Sequence, residues 1–139
     1  FETFTFETAD RQGQPIYHTN VMMAIGTGYA IVCLECVKHE VQRDELRDRL
    51  TQWGHQVIEI TSSQMEAFAG NVIEIANPAG HKYLLLSTTA QASLRPDQMA
   101  VLQQIGVELL PVEVSTIQKI GGGGIRCMVA ENFLVKEDS

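Results

Sequence analysis

A cysteine that follows four consecutive glycines is the feature of this sequence best suited to covalent chemistry. In Gly121-Gly122-Gly123-Gly124-Ile125-Arg126-Cys127-Met128-Val129, a stretch able to turn sharply and approach another backbone delivers Cys127 onto a short apolar run. Cysteine is the least demanding side-chain nucleophile, because an unshifted thiol is already about a few per cent thiolate at neutral pH and a neighbouring histidine raises that fraction. The same residues admit a plainer reading, with Ile125, Cys127 and Val129 alternating on the inner face of a strand and Cys127 a core cysteine. A histidine partner decides between them. Of four histidines, His18 alone is set among apolar residues in a predicted strand, whereas His39, His55 and His81 stand beside turns or helix ends. Taken by itself, His18 also reads as a satisfied core histidine.

Composition narrows the chemistry further. A chain of 139 residues is one domain by length and can bury a real core. With 10 basic and 17 acidic residues its formal charge is -7, which disfavours a nucleic-acid surface. No apolar run approaches a membrane span and no charged-then-apolar leader opens the chain, so a soluble cytoplasmic protein is expected. Three cysteines cannot all pair, which fits a reducing compartment. Cys33-Leu34-Glu35-Cys36 has C-x-x-C spacing without a second pair, and Cys33 belongs to a buried-looking strand, so zinc or redox work is disfavoured. The glycine run lacks the Lys-Ser/Thr of a phosphate loop. Because Phe1 is not Met and the opening residues are already strand-like, the chain is expected to begin inside a larger protein.

The elements that must position these groups recur. Residues 1–8 read as a strand with Phe4 and Phe6 on one side, and residues 16–25 as an apolar run closed by the turn Gly26-Thr27-Gly28. Residues 29–34 form a nearly continuous apolar run, a strand buried on both faces. Leu46, Leu50 and Trp53 mark a helix over residues 41–53 with Glu45 and Arg49 paired on its exposed side, Gly54 ends it, and residues 56–60 return as a strand. Ser63-Gln64-Met65-Glu66 has capping-box spacing for a short helix reaching Phe68. Strands over 72–76 and 83–86 flank a turn at Asn77-Pro78-Ala79-Gly80, a helix opens at Pro96, and residues 107–112 return as a strand. Tyr29 and Tyr83 are 54 positions apart, and the helix-ending Gly54 and Gly106 are 52 apart. Strand, strand, helix, strand thus occurs twice at nearly constant period, the signature of a duplicated module.

Three segments carry a resemblance. Ile16-Tyr17-His18-Thr19-Asn20-Val21-Met22-Met23, Phe68-Ala69-Gly70-Asn71 and Gly122-Gly123-Gly124-Ile125-Arg126-Cys127-Met128 resemble, in order, three signatures of the guanidino-group-modifying, or pentein, superfamily. The nearest branch is the arginine-deiminase-related amidinotransferase group that includes citrulline hydrolases. The resemblance runs from about Ile16 to Leu134 and implies an α/β fold of repeated ββαβ modules about a pseudo-fivefold axis. It also implies that residues 1–139 are a partial domain, about two and a half of five modules, from the C-terminal half of an enzyme. Cys127 falls on the family's nucleophile and His18 on its general acid/base. One imidazole that gives a proton in one step and takes one in the next calls for no metal and no cofactor. Asn20 and Asn71 are implied substrate contacts, although Asn71 also reads as a residue closing the turn after Gly70. Arg126 reads equally as a surface charge or as part of a substrate-carboxylate clamp.

Two departures qualify the substrate. Where arginine deiminases and glycine-type amidinotransferases have His-x-Asp, this chain has His18-Thr19-Asn20, and an amide cannot supply the charge that pairs with a guanidinium. A ureido group, as in citrulline, is therefore expected more readily than a guanidino group. The family's substrate-gripping acidic residues come from modules upstream of the histidine, and Glu2 and Glu7 match no such motif. An open half-ring exposes apolar edges, so association with the missing N-terminal modules or a second copy is expected. The expected partner is a small-molecule amino acid, with no nucleic acid and no membrane. Hydrolysis and amidino transfer share the covalent half-reaction, and a non-catalytic binding module of the same fold is the remaining alternative.

Overall fold

Two short three-stranded sheets, each built on the same plan, make up the molecule. The computed structural model describes residues 3–132. In the first unit, β1 (Met23–Gly26) pairs antiparallel with β2 (Tyr29–Val32), and α2 (Glu40–Gln52) carries the chain over to β3 (Gln56–Glu59), parallel to β2. The one-turn helix α1 (Thr19–Met22) precedes β1, and α3 (Ser62–Glu66) follows β3. The second unit repeats the plan with β4 (Ile73–Ala76), β5 (Lys82–Ser87), α5 (Pro96–Gln104) and β6 (Val107–Val112), adding α4 (Thr88–Ser93) after β5. Tyr29 stands opposite Gln56 and Tyr83 opposite Glu108, so the periodicity read from the sequence is a true equivalence of register. A parallel pair needs a crossover, and the helix supplies it in both units.

Burial explains the strand patterns. All four residues of β2 are buried, as expected of a central strand covered on both faces. Leu46 and Leu50 of α2 pack into the same core as Ile31 and Ile58, and Leu102 of α5 packs with Leu84 and Val107. Each such side chain contributes about 1.5–3 kcal/mol on burial. The Arg49 and Glu45 pair forms at 3.0 Å on the outer side of α2. A buried pair of amides joins the units: Gln64 Nε2 donates to Gln98 Oε1 at 2.7 Å, and Gln98 Nε2 donates to the Glu59 carbonyl at 2.6 Å. Among the described residues no helix is long and apolar enough to cross a membrane.

Several expectations are corrected. Residues 3–8 form no strand beyond single bridges from Thr8 to Val37 and from Ala9 to Pro15; Phe4 and Phe6 instead lie half-buried against the core, with Arg49 over the Phe4 ring at 4.9 Å. Phe1 and Glu2, and Leu134 at the far end, lie outside the described residues. His18 does not sit within a strand but immediately before α1. The capping box belongs to Thr61 and Gln64 rather than to Ser63 and Glu66, because Thr61 is the last extended residue and its hydroxyl accepts from Gln64 N at 3.2 Å. The run from Ile125 is a 3₁₀ turn (Ile125–Met128), not a strand, and the unanticipated helix α6 (Ser115–Gly121) precedes it.

Candidate active site

Three loops converge on one cleft of about 340 Å³, and each brings one of the polar residues singled out in the sequence. The first runs from Pro15 to α1 and ends at His18, an exposed residue in extended backbone whose carbonyl accepts from Val21 N at 3.0 Å. The second leaves α3 through a sharp turn in which Phe68 takes φ 67°, a left-handed conformation costing an L side chain about 1–2 kcal/mol. Asn71 N closes that turn on the Phe68 carbonyl at 2.9 Å, holding the strained residue in place and turning its ring into the cleft wall. The third is the glycine run. Gly122 ends α6 in a left-handed cap with φ 69°, and the 3₁₀ turn that follows presents Cys127 exposed.

His18 and Cys127, 109 positions apart, thus line the same cleft, together with Asn71, Asp10, Glu66 and Phe68. The plainer reading of Cys127 as a core cysteine fails, because the residue is exposed and its turn has no strand periodicity. Asn71 is 2% exposed and bonds to both flanking loops. Its Nδ2 donates to the Asn20 carbonyl at 2.7 Å and to Cys127 Sγ at 3.2 Å, while its Oδ1 accepts from Cys127 N at 3.3 Å.

Asn20, an implied substrate contact, and Arg126, which carried two readings, stand apart from these residues. Neither lines the cleft. Asn20 joins the network through its backbone carbonyl, because it lies within the single turn of α1, and its buried Oδ1 has no partner among the described residues. Arg126 bonds to the Val129 carbonyl and to Glu131 Oε2, both at 3.1 Å, so a nearby carboxylate already occupies its guanidinium.

The cleft also holds two carboxylates that the sequence did not single out. Asp10 Oδ1 accepts from Gln12 N and Gln14 N at 2.9 and 2.8 Å, which fixes the carboxylate at the cleft edge. Glu66 lies 3.7 Å from Arg11, whose guanidinium also donates to Ser63 Oγ. Glu66 read as part of a capping box and nothing local marked Asp10; only the contact of Arg11 with Ser63 and Glu66 reveals that the two carboxylates face one space.

The family model for eukaryotic N,N dimethylarginine dimethylhydrolase matches residues 1–134. The chain belongs to this family. It is a pentein by fold as well. The apo form of ArgZ, an arginine dihydrolase from the ornithine-ammonia cycle in cyanobacteria, matches with a TM-score of 0.64 at 14% identity, over 93% of this chain and 19% of its own. AgrE in its ternary complex with ornithine and NAD+ gives 0.64 at 15% identity, over 93% of this chain and 17% of its own. The product-bound N-terminal domain of ArgZ gives 0.61 at 13% identity, over 81% of this chain and 36% of that domain. The dimethylarginine dimethylhydrolase-family chain described here therefore spans well under half the length of these solved structures, and at such identities the likeness is one of fold. No curated protein matches the chain in sequence.

Proposed function

We propose that the chain is the part of a hydrolase that carries its nucleophile and its acid/base, acting on the linear guanidino or ureido carbon of a small amino-acid substrate. The observation that carries this reading is the shared cleft of His18 and Cys127. In the first step the sulfur of Cys127, as thiolate, adds to the guanidino or ureido carbon. The carbon–nitrogen bond then breaks, the departing amine takes a proton from the His18 imidazolium, and the carbon is left bound to sulfur. In the second step neutral His18 accepts a proton from water as its oxygen adds to that carbon, and the carbon–sulfur bond breaks to return the thiolate. Replacing water by an amine in the second step gives amidino transfer instead.

The charge of the cleft bears on the reacting group. The preference for a ureido substrate drawn from Asn20 loses its basis, since that amide does not line the cleft. Asp10 and Glu66 do line it, and although Glu66 is shared with Arg11, the Asp10 carboxylate beside the site suits a guanidinium. The remaining cleft walls are assigned to further modules of a longer protein or to a second copy.

The test is to assay the full-length protein for amine and ammonia release from arginine, citrulline and methylated arginines, with Cys127→Ser and His18→Asn variants alongside. Cys127→Ser should abolish turnover, and His18→Asn should reduce it by about 10²–10⁴-fold. Substrate should also slow alkylation of Cys127. Full turnover in Cys127→Ser, or alkylation indifferent to every substrate, would leave only a non-catalytic binding module.

A further inference from the structure

We propose that Asn71 is a positioning residue that fixes the sulfur of Cys127 and ties the nucleophile's loop to the segment carrying His18. The proposal rests on the reading of Cys127 as the nucleophile and adds what holds it. The orientation of the carboxamide is settled by its partners. Cys127 N can only donate and the Asn20 carbonyl can only accept, so Oδ1 must face the first and Nδ2 the second. The two amide hydrogens are then both committed, one to Asn20 and one to the sulfur.

The backbone of Asn71 joins the same arrangement, its carbonyl accepting from Arg126 N at 3.2 Å. Three loops are therefore held through one side chain and its own peptide group. Asn20 lies two residues from His18, so the bond to its carbonyl fixes where the imidazole's segment stands relative to the sulfur. Tight packing prevents the carboxamide from swinging away, since Gly124 leaves room for it and for nothing more. The donor on the sulfur and the acceptor on the Cys127 backbone together fix where that side chain stands and the direction from which a reagent meets it.

The experiment uses the full-length protein and needs no substrate. Iodoacetamide labelling of Cys127 is followed by peptide mass spectrometry as a function of pH in the parent, Asn71→Asp, Asn71→Ala and Asn71→Ser. Aspartate is nearly isosteric, but it replaces both donors by an acceptor and puts an anion against the sulfur. Its labelling midpoint should rise by about one pH unit or more. Alanine should slow labelling at neutral pH, and serine, which keeps one donor, should restore part of the loss. If Asn71→Asp does not fold, as judged by circular dichroism, the serine and alanine variants carry the comparison. Superimposable pH profiles in the folded variants would overturn the proposal. Because no turnover is read, that failure is distinct from failure of the hydrolase reading, which Cys127→Ser tests separately.

Discussion

A Cβ placed on Gly124 would stand 2.7 Å from Oδ1 and 2.9 Å from Cβ of Asn71, residues 53 positions apart in the chain. The last glycine of the run is thus required for space, since its backbone is extended with φ -90°. Gly124→Ala should destabilise the fold by about 1–3 kcal/mol, the usual cost of forcing a methyl into a packed site. Gly80, with φ 82° and open space for at least 4 Å around the position a Cβ would take, provides the control. Gly80→Ala should cost about 1–2 kcal/mol through backbone strain alone. Urea denaturation measures both, and only Gly124→Ala should also change the rate at which Cys127 is alkylated.

The three thiols should separate cleanly by access. Cys33 and Cys36 are buried at 0% and 2% exposure with sulfurs 3.0 Å apart, whereas Cys127 is exposed. Sharing of a hydrogen bond holds the Cys33 thiol below its ordinary range and pushes Cys36 up. Of these three cysteines, iodoacetamide should modify Cys127 alone in native protein and all three after denaturation, as read by peptide mass spectrometry. Labelling of Cys36 at a rate near that of Cys127 in native protein would contradict the burial.

Alkaline pH should reveal the clamp between the two units. Glu74 of β4 accepts from Thr27 N at 3.2 Å and from Thr27 Oγ1 at 2.6 Å, gripping the β1–β2 turn. Burial, and then the Glu74 carboxylate that accepts its hydroxyl, push the Tyr29 phenol well above the usual tyrosine range. In the unfolded chain that phenol ionises near about pH 10. The folded state then binds more protons than the unfolded one, so the contribution of Tyr29 is intact below about pH 10 and is lost as pH rises beyond it. Stability against urea should fall less steeply between about pH 10 and 12 in Tyr29→Phe than in the parent. Equal slopes would remove Tyr29 as the cause.

Periodicity and turn residues made the paired ββαβ units legible, because both report local backbone preference and the burial of one face. The helix over 41–53 and the strand over 107–112 fall where those patterns put them, and the strand expected over 29–34 forms over Tyr29–Val32, cut short because Leu34 opens a 3₁₀ turn. The failures share a physical cause. Apolar alternation at Ile125, Cys127 and Val129 suggests a strand, but Asn71 takes backbone hydrogen bonds of this run, its carbonyl accepting from Arg126 N and its Oδ1 from Cys127 N. His18 was separable from the other histidines by its surroundings, and its meeting with Cys127 was legible through the three ordered signatures. The approach of Asp10 and Glu66 to the cleft depends on a loop folding across α3, for which no local pattern exists.

The buried amides Gln64 and Gln98 should show energetic coupling between the units. Gln98 is 3% exposed; it donates to the Glu59 carbonyl, while its Oε1 accepts from Gln64 Nε2 and from Arg95 N, the latter at 2.9 Å. Gln64 Nε2 also donates to the Ser93 carbonyl at 2.7 Å, so the two amides together link β3, α3, the end of α4 and the start of α5. Gln98→Leu strands several of these partners away from water and should cost about 1–3 kcal/mol for each group left unsatisfied. Gln64→Leu should behave similarly. With both replaced, neither amide is left facing an apolar group, and the double variant should lose less stability than the sum of the singles. Urea midpoints of the four proteins measure the coupling. Strict additivity would mean that the amides act independently and that the two units are joined by apolar packing alone.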